Sequence, residues 1–161
     1  MLDEVMPIYE DGRRAIATLG IDQWQGGYPS RDVILEDIEN ERLFAAVADD
    51  GRIAAVAAVI AYEPDYEVID GEWISDGEYN AVHRVAASAE FKGRGASAYL
   101  FDRIEEMAKD NGIVSLRIDT HRGNTVMQKF VSKRGFAPCG LITLGHGEGD
   151  RLRLAYEKVI L

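Results

Sequence analysis

A chain of 161 residues, 47% hydrophobic and 29% charged, is long enough for one domain with a substantial core and too apolar for a disordered segment. Its formal net charge of −10 would repel a nucleic-acid backbone, and its basic residues form no long tract to offset this. One cysteine, Cys139, excludes an internal disulfide framework, and three histidines beside it leave no zinc set, so no metal is expected.

The opening "MLDEVMPIYEDGRR" lacks the basic-then-apolar pattern of a secretory signal. Val5, Ile8, Tyr9, Ala15, Ile16 and Leu19 follow near helical spacing up to a stop at Gly20. "DQWQGGYPS" (22 to 30) reads as a loop with a Gly-Gly hinge and two large aromatics. Ser30 then caps a second helix, with Ile34, Leu35 and Ile38 expected to face the core. "RLFAAVADDGRIAAVAAVIAY" is a strand, a tight turn at Asp50-Gly51 that needs positive φ, and a second strand. The second arm is apolar almost throughout, which predicts a place inside the sheet. Its run from 53 to 62 is far too short to cross a bilayer as a helix, so a cytoplasmic protein without membrane partner is expected.

Residues 63 to 78 carry seven acids and no base, as a solvated loop or the acidic rim of a site would. "NAVHRVAAS" is a strand, followed by a Lys-Gly-Arg-Gly turn and a helix from about 94 to 110 that sets Ala96, Leu100, Ile104, Met107 and Ala108 on one face. "IVSLRIDT" alternates as a half-buried strand should. A helix opening at Asn124 and stopping at Gly135 comes next. Two strands, "APCGLITL" and "RLRLAYEKVI", joined by "GHGEGD", close the chain.

The turn is the chemically informative piece. Amides at the first turn of a helix lack intrahelical partners and point outward, where the helix dipole favours an anion. Gly93 and Gly95 let the backbone bend and a ligand approach, and Lys92 and Arg94 add positive charge. A phosphate or diphosphate suits that place, although a plain glycine loop would carry the same residues. No P-loop spacing is present. "GRGASA" fits a dinucleotide fingerprint with Asp119 at a ribose-binding distance, which would make the chain an NAD(P)-dependent oxidoreductase. Against that reading, "SAEFK" separates the preceding strand from the first glycine, and only one βα unit is available.

The whole stretch 83 to 136, "HRVAASAEFKGRGASAYLFDRIEEMAKDNGIVSLRIDTHRGNTVMQKFVSKRGF", resembles the acetyl-CoA-binding core of the GNAT superfamily of N-acetyltransferases. The likeness lies in the strand, the [Q/R]-x-x-G-x-[G/A] turn, the helix, the strand, the Asn-started helix and the terminal Gly-Phe; "QWQGGYPS" and "RLAYEKVI" also resemble segments of small bacterial members. Lys92 stands where Gln or Arg is usual, and Ser97 where Gly or Ala is.

The resemblance implies a single domain over 1–161. Its expected fold is mixed α/β, a mostly antiparallel sheet with one parallel pair forming a cleft, flanked by about four helices. It implies transfer of acetyl from acetyl-CoA to a primary amine on a small molecule or peptide. Val85, Ala86 and Ala87 would serve the pantetheine arm by their backbone, one amide polarising the thioester carbonyl. Lys92, Gly93, Arg94, Gly95, Ala96 and Ser97 would hold the diphosphate, and Asn124 would cap its helix and contact the coenzyme.

His83 suits a general base by its ordinary pKa, with Tyr79 and Glu78 as alternatives. Counting back from Phe136 puts Val131 where many members carry the Tyr that protonates the thiolate; Phe130 has no hydroxyl, which leaves Ser132 and Tyr79 to be tried. This departure also admits a coenzyme-A-binding sensor with weak catalysis. His121 reads as a loop residue or a lining of the site entrance. Trp24 and Tyr28 would wall the acceptor side, or simply pack. The glycine-rich C-terminal strands offer an edge for a homodimer.

Overall fold

The computed structural model describes all of residues 1–161. The elements in chain order are α1 (Leu2–Ala17), α2 (Arg31–Glu39), β1 (Leu43–Val47), β2 (Ile53–Ile60), β3 (Asp70–Gly71), β4 (Tyr79–Ala87), α3 (Ala96–Asp110), β5 (Ser115–His121), α4 (Thr125–Lys133), β6 (Ala137–Thr143) and β7 (Leu152–Val159). The strands form one seven-stranded sheet in the order β1-β2-β4-β5-β7-β6-β3, antiparallel throughout except for β4 and β5. With four helices around it, this is the mixed α/β architecture expected. A doubly wound dinucleotide fold needs several parallel pairs. The single one here sets the oxidoreductase alternative aside.

Local chemistry explains the elements. Ser30 Oγ accepts from the Val33 amide at 3.3 Å and starts α2. Ile34 is then fully buried and Ile38 packs with it against α1. Leu35, expected beside them, is 38% exposed, because one residue's rotation of about 100° carries it off the i, i+4 face. In the hairpin, Gly51 donates to Ala48 and Ala48 to Arg52, so Asp49, Asp50 and Gly51 form a three-residue loop. Positive φ is needed at Gly51 alone (86°).

α1 and α2 pack on one face of the sheet around Val5, Tyr9, Ile34, Val56 and Ala86. α3 and α4 cover the other face, where Leu100, Phe101, Ile104, Leu116, Val131 and Phe136 form the main core. The polar face of β5, expected to meet solvent, is instead covered by residues 63–79. Ser115 and Arg117 are buried against Glu157 of β7, with Ser115 Oγ–Oε1 2.7 Å and Arg117 Nε–Oε1 3.1 Å. Arg117 also lies between the Trp73 and Tyr79 rings. The acidic segment is therefore a cap rather than a free loop. Tyr66 is buried at its centre.

Two features of β4 shape the site. Its parallel pairing with β5 covers only Tyr79–Ala81 against Ser115–Arg117; beyond that the strands part, and the edge of Val82–Ala87 that faces away from β2 has no strand partner. On the β2 side, Ala58 pairs with His83 and Val56 with Ala86, so Arg84 and Val85 together oppose Ala57. This is a β-bulge, with Arg84 at φ 50°. At the far edge, β3 pairs with Gly140–Leu141 of β6 and covers part of the edge expected to serve a homodimer.

Candidate active site

Where β4 and β5 part, a cavity of about 440 Å³ opens. Val82–Val85 of β4 and Ile118–Thr120 of β5 form its floor, Trp24 and Tyr28 of the α1–α2 loop one wall, and Glu63, Asp65 and the glycine-rich β6–β7 loop the other.

His83 lies at the centre. Its Nε2 is 2.8 Å from Glu63 Oε2 and its Nδ1 3.7 Å from Asp119 Oδ2. Glu63 is thus a close ionic neighbour of Nε2, which has no hydrogen-bond partner by geometry. Only two buried side-chain polar atoms of the molecule lack a hydrogen-bond partner, His83 Nε2 and Thr120 Oγ1, and both residues line this cavity. Buried polar atoms without a partner are uncommon in folded proteins.

Burial alone would raise the Glu63 carboxyl. The His83 side chain and the Asp65 amide outweigh it and hold Glu63 below the usual carboxylate range. Asp119 accepts from the Tyr66 hydroxyl at 2.5 Å, and Tyr66 is pushed well above its ordinary value by burial and then by Asp119.

The glycine turn is open in the way an anion site requires. The amides of Gly93, Gly95, Ala96, Ser97 and Ala98 donate to nothing in the protein, since the first bond of α3 runs from Tyr99 to Gly95. Gly93 and Gly95 adopt φ of 76° and 77°, with nothing near where a side chain would stand. The first turn of α3 holds no acid, and Lys92 and Arg94 are exposed beside it. Arg94 and Arg52 both lie over the Phe91 ring, at 5.6 and 4.9 Å.

The sequence model of the Acetyltransferase (GNAT) family matches residues 6–136. The chain belongs to this family. A GNAT-family acetyltransferase from Streptococcus agalactiae is 37% identical, with a TM-score of 0.87 over 98% of this chain and 89% of that one. A GNAT-family acetyltransferase from Listeria monocytogenes (17% identity, TM-score 0.72, 98% and 88% covered) shares the fold, as does a ribosomal-protein-alanine N-acetyltransferase from Brucella melitensis (17%, 0.68, 99% and 96%). No curated protein sequence matches. No helix is long and apolar enough to cross a membrane.

His83, Val85, Asn124, Trp24 and Tyr28 all line the cavity. Asn124 caps α4 through Oδ1 to the Met127 amide (3.1 Å) and donates from Nδ2 to Gln23 Oε1 (2.9 Å), joining the α1–α2 loop to the split. The Trp24 ring packs on Tyr9, 5.9 Å between centroids. The Tyr28 hydroxyl accepts from Arg84 Nη1 at 2.9 Å and keeps its own O–H free to donate; burial raises its pKa above the ordinary value.

Other candidates lie elsewhere. Tyr79 is withdrawn from the cavity, its hydroxyl bonded to the Glu63 backbone (3.0 Å from the amide), so it orients Glu63 rather than facing a substrate. Glu78 serves through its carbonyl, which accepts from Val114 at the strand entrance. Val131 is fully buried in the core and Ser132 is exposed on the outer side of α4. His121 accepts from Gly123 N at Nδ1 (2.9 Å), and its Nε2 sits between Asp22 (3.2 Å) and Asp150 (3.5 Å), tying the two loops at the mouth.

Sequence reasoning missed Arg84 as a builder of the site. Its guanidinium binds buried Asp37 of α2 through Nε (2.6 Å) and Nη2 (2.8 Å), and its carbonyl accepts from Tyr9 at 2.8 Å. The bulge that follows His83 is thereby clamped to both N-terminal helices. A charged residue inside an apolar strand was the available signal, but its partner stands 47 residues away.

Proposed function

We propose that this GNAT protein transfers an acetyl group from acetyl-CoA to a primary amine, with His83 taking the amine proton directly or through water. The observation that carries the reading is one strand, β4, that holds both an unpartnered edge at Val82–Ala87 and, lining the cavity, His83. A strand edge left open beside a cavity suits an extended ligand that completes the pairing. The α3 turn, with its free amides and open glycine positions, suits the diphosphate of the same ligand.

Acetyl-CoA supplies the acetyl group as a thioester. The backbone of Val85, Ala86 and Ala87 would hold the pantetheine arm, and residues 92–97 the diphosphate. Asn124, at the head of α4, would border the arm from the β5 side. An amine is mostly protonated near neutral pH, so the group that attacks must first lose a proton. His83 would take that proton, and the carboxylates of Glu63 and Asp119 close to its ring would favour the resulting charge. Tyr28 and Trp24 would wall the acceptor.

The test is thiol release from acetyl-CoA across a broad panel of amines, with acetyl-CoA affinity measured in parallel. His83→Gln is expected to lower kcat by roughly 10²–10⁴-fold while acetyl-CoA still binds. A chain that binds no acetyl-CoA overturns the reading, and wild-type turnover in His83→Gln removes His83 from it. Val131, with no hydroxyl at the usual acid position, favours a second reading: a coenzyme-A-binding sensor, which would bind acetyl-CoA and release no thiol with any amine.

A further inference from the structure

Three arginines are deeply buried or nearly so, and two of them are paired with a carboxylate. Arg117 is met by Glu157 and the Ser75 carbonyl, and Arg84 by Asp37 and Tyr28. Arg153 of β7 differs. It is 7% exposed and lines the cavity, yet no carboxylate lies within salt-bridge distance of it. Its Nη1 donates to the carbonyls of Asp150 (2.7 Å) and Leu152 (2.9 Å), at the start of its own strand. Nε and Nη2 have no acceptor on the protein and are not sealed from solvent as His83 Nε2 and Thr120 Oγ1 are.

The nearby acids are already engaged. Asp22 takes the Asp150 amide, Asp150 takes the Leu152 amide and Arg122, and Asp119 takes the Tyr66 hydroxyl. Burial pulls the Arg153 guanidinium below its ordinary value, even with Asp119, Asp150 and Asp22 acting the other way.

Nε–H and Nη2–H are the parallel pair of donors on one side of a guanidinium, the geometry that takes both oxygens of a carboxylate. β7 runs beside β5 with Ala155 opposite Asp119, so Arg153 stands two residues further along the sheet from the His83–Asp119 contact. His83 of β4 joins Asp119 and Arg153 in lining the cavity, while α3 packs in the core of the opposite face. The site thus offers carboxylates and a histidine at one place and a free guanidinium at another.

We infer that the acceptor is a zwitterion, a small molecule carrying a carboxylate as well as the amine, and that Arg153 binds the carboxylate through Nε and Nη2. This rests on the amine-acetylation reading above. The amine end lies toward His83 and Glu63, and the carboxylate end toward β7. Arg153 is a specificity residue that touches the acceptor and leaves coenzyme binding to β4 and α3.

The experiment pairs the common amino acids and ω-amino acids with their carboxamides. Binding to the coenzyme-A-saturated protein is measured by calorimetry, and acetyl transfer by thiol release. Wild type is expected to favour at least one acid over its carboxamide by tenfold or more in both readouts. Arg153→Met should collapse that ratio toward one, and Arg153→Lys, which keeps charge but not the paired donors, should retain part of it. Calorimetry with acetyl-CoA checks that each variant is folded.

Failure of the two readings looks different. Carboxylate-dependent binding without thiol release leaves Arg153 in its role and sinks the enzyme reading. Transfer to amines with no preference for the carboxylate, a ratio that survives Arg153→Met, or no acid binding at all overturns this inference.

Discussion

Asp37→Ala should cost this protein a large share of its stability and disturb the site from a distance. Asp37 is 2% exposed, and both its oxygens are taken by Arg84, at 2.6 and 2.8 Å. Removing one partner of a buried ion pair strands the other charge, at about 3–5 kcal/mol. Arg84 keeps the Tyr28 hydroxyl at 2.9 Å and is slightly open to solvent, which argues for the lower half of that range. Against a domain stability of roughly 5–15 kcal/mol the loss is severe.

Asp37→Asn keeps the shape and one acceptor, so about 1.5–3 kcal/mol is expected. Urea melts with a shared m value read these losses as shifts in midpoint. The decisive arm is the double variant with Arg84→Met. Replacing both charges removes the stranded ion, so the double variant should be more stable than Asp37→Ala alone. Additive losses, or a loss below about 1 kcal/mol for Asp37→Ala, would refute the claim that this pair clamps the bulge. Because Arg84 is held at φ 50° next to His83, acetyl transfer by still-folded Asp37→Ala should also fall.

Gly95 sits at φ 77° with open space around it, so Gly95→Ala pays only the left-handed backbone penalty of about 1–2 kcal/mol. Its acetyl-CoA affinity should weaken, and an unchanged dissociation constant by calorimetry would dissociate the turn from the coenzyme. Glu63 has a folded-state pKa below its ordinary 4.5, so its contribution to stability is present above that pH and lost as pH falls through the depressed value. Melting temperatures between about pH 3 and 6 should show a shallower acid limb in Glu63→Gln than in wild type; parallel limbs would contradict the assignment. At Gly140 (φ 140°) an added side chain would strike the Asp70 carbonyl across the β3–β6 pair, so Gly140→Ala should lose about 1–3 kcal/mol in the same melts.

What the sequence disclosed and what it withheld divide by distance along the chain. The caps at Ser30 and Asn124, the hairpin glycine and the open turn at 92–97 are each decided within a few residues, and each stands where the sequence puts it. His83 was also reachable, as a histidine on the strand ahead of the turn. The contacts that make its surroundings a site are long-range. Arg84 meets Asp37 across 47 positions, Tyr66 meets Asp119 across 53, and Arg117 meets Glu157 across 40. Alternation along "IVSLRIDT" correctly separates two faces, but it cannot tell water from a buried carboxylate on the polar one. Only the insertion of β7 between β5 and β6 supplies Glu157 to that face, and the same insertion brings Arg153 to the cavity. The turn proposed to hold the coenzyme is therefore written in local motifs. The side proposed for the acceptor is built from pairs that only the fold brings together, which is why a local reading of the sequence finds the turn and misses Arg84 and Arg153.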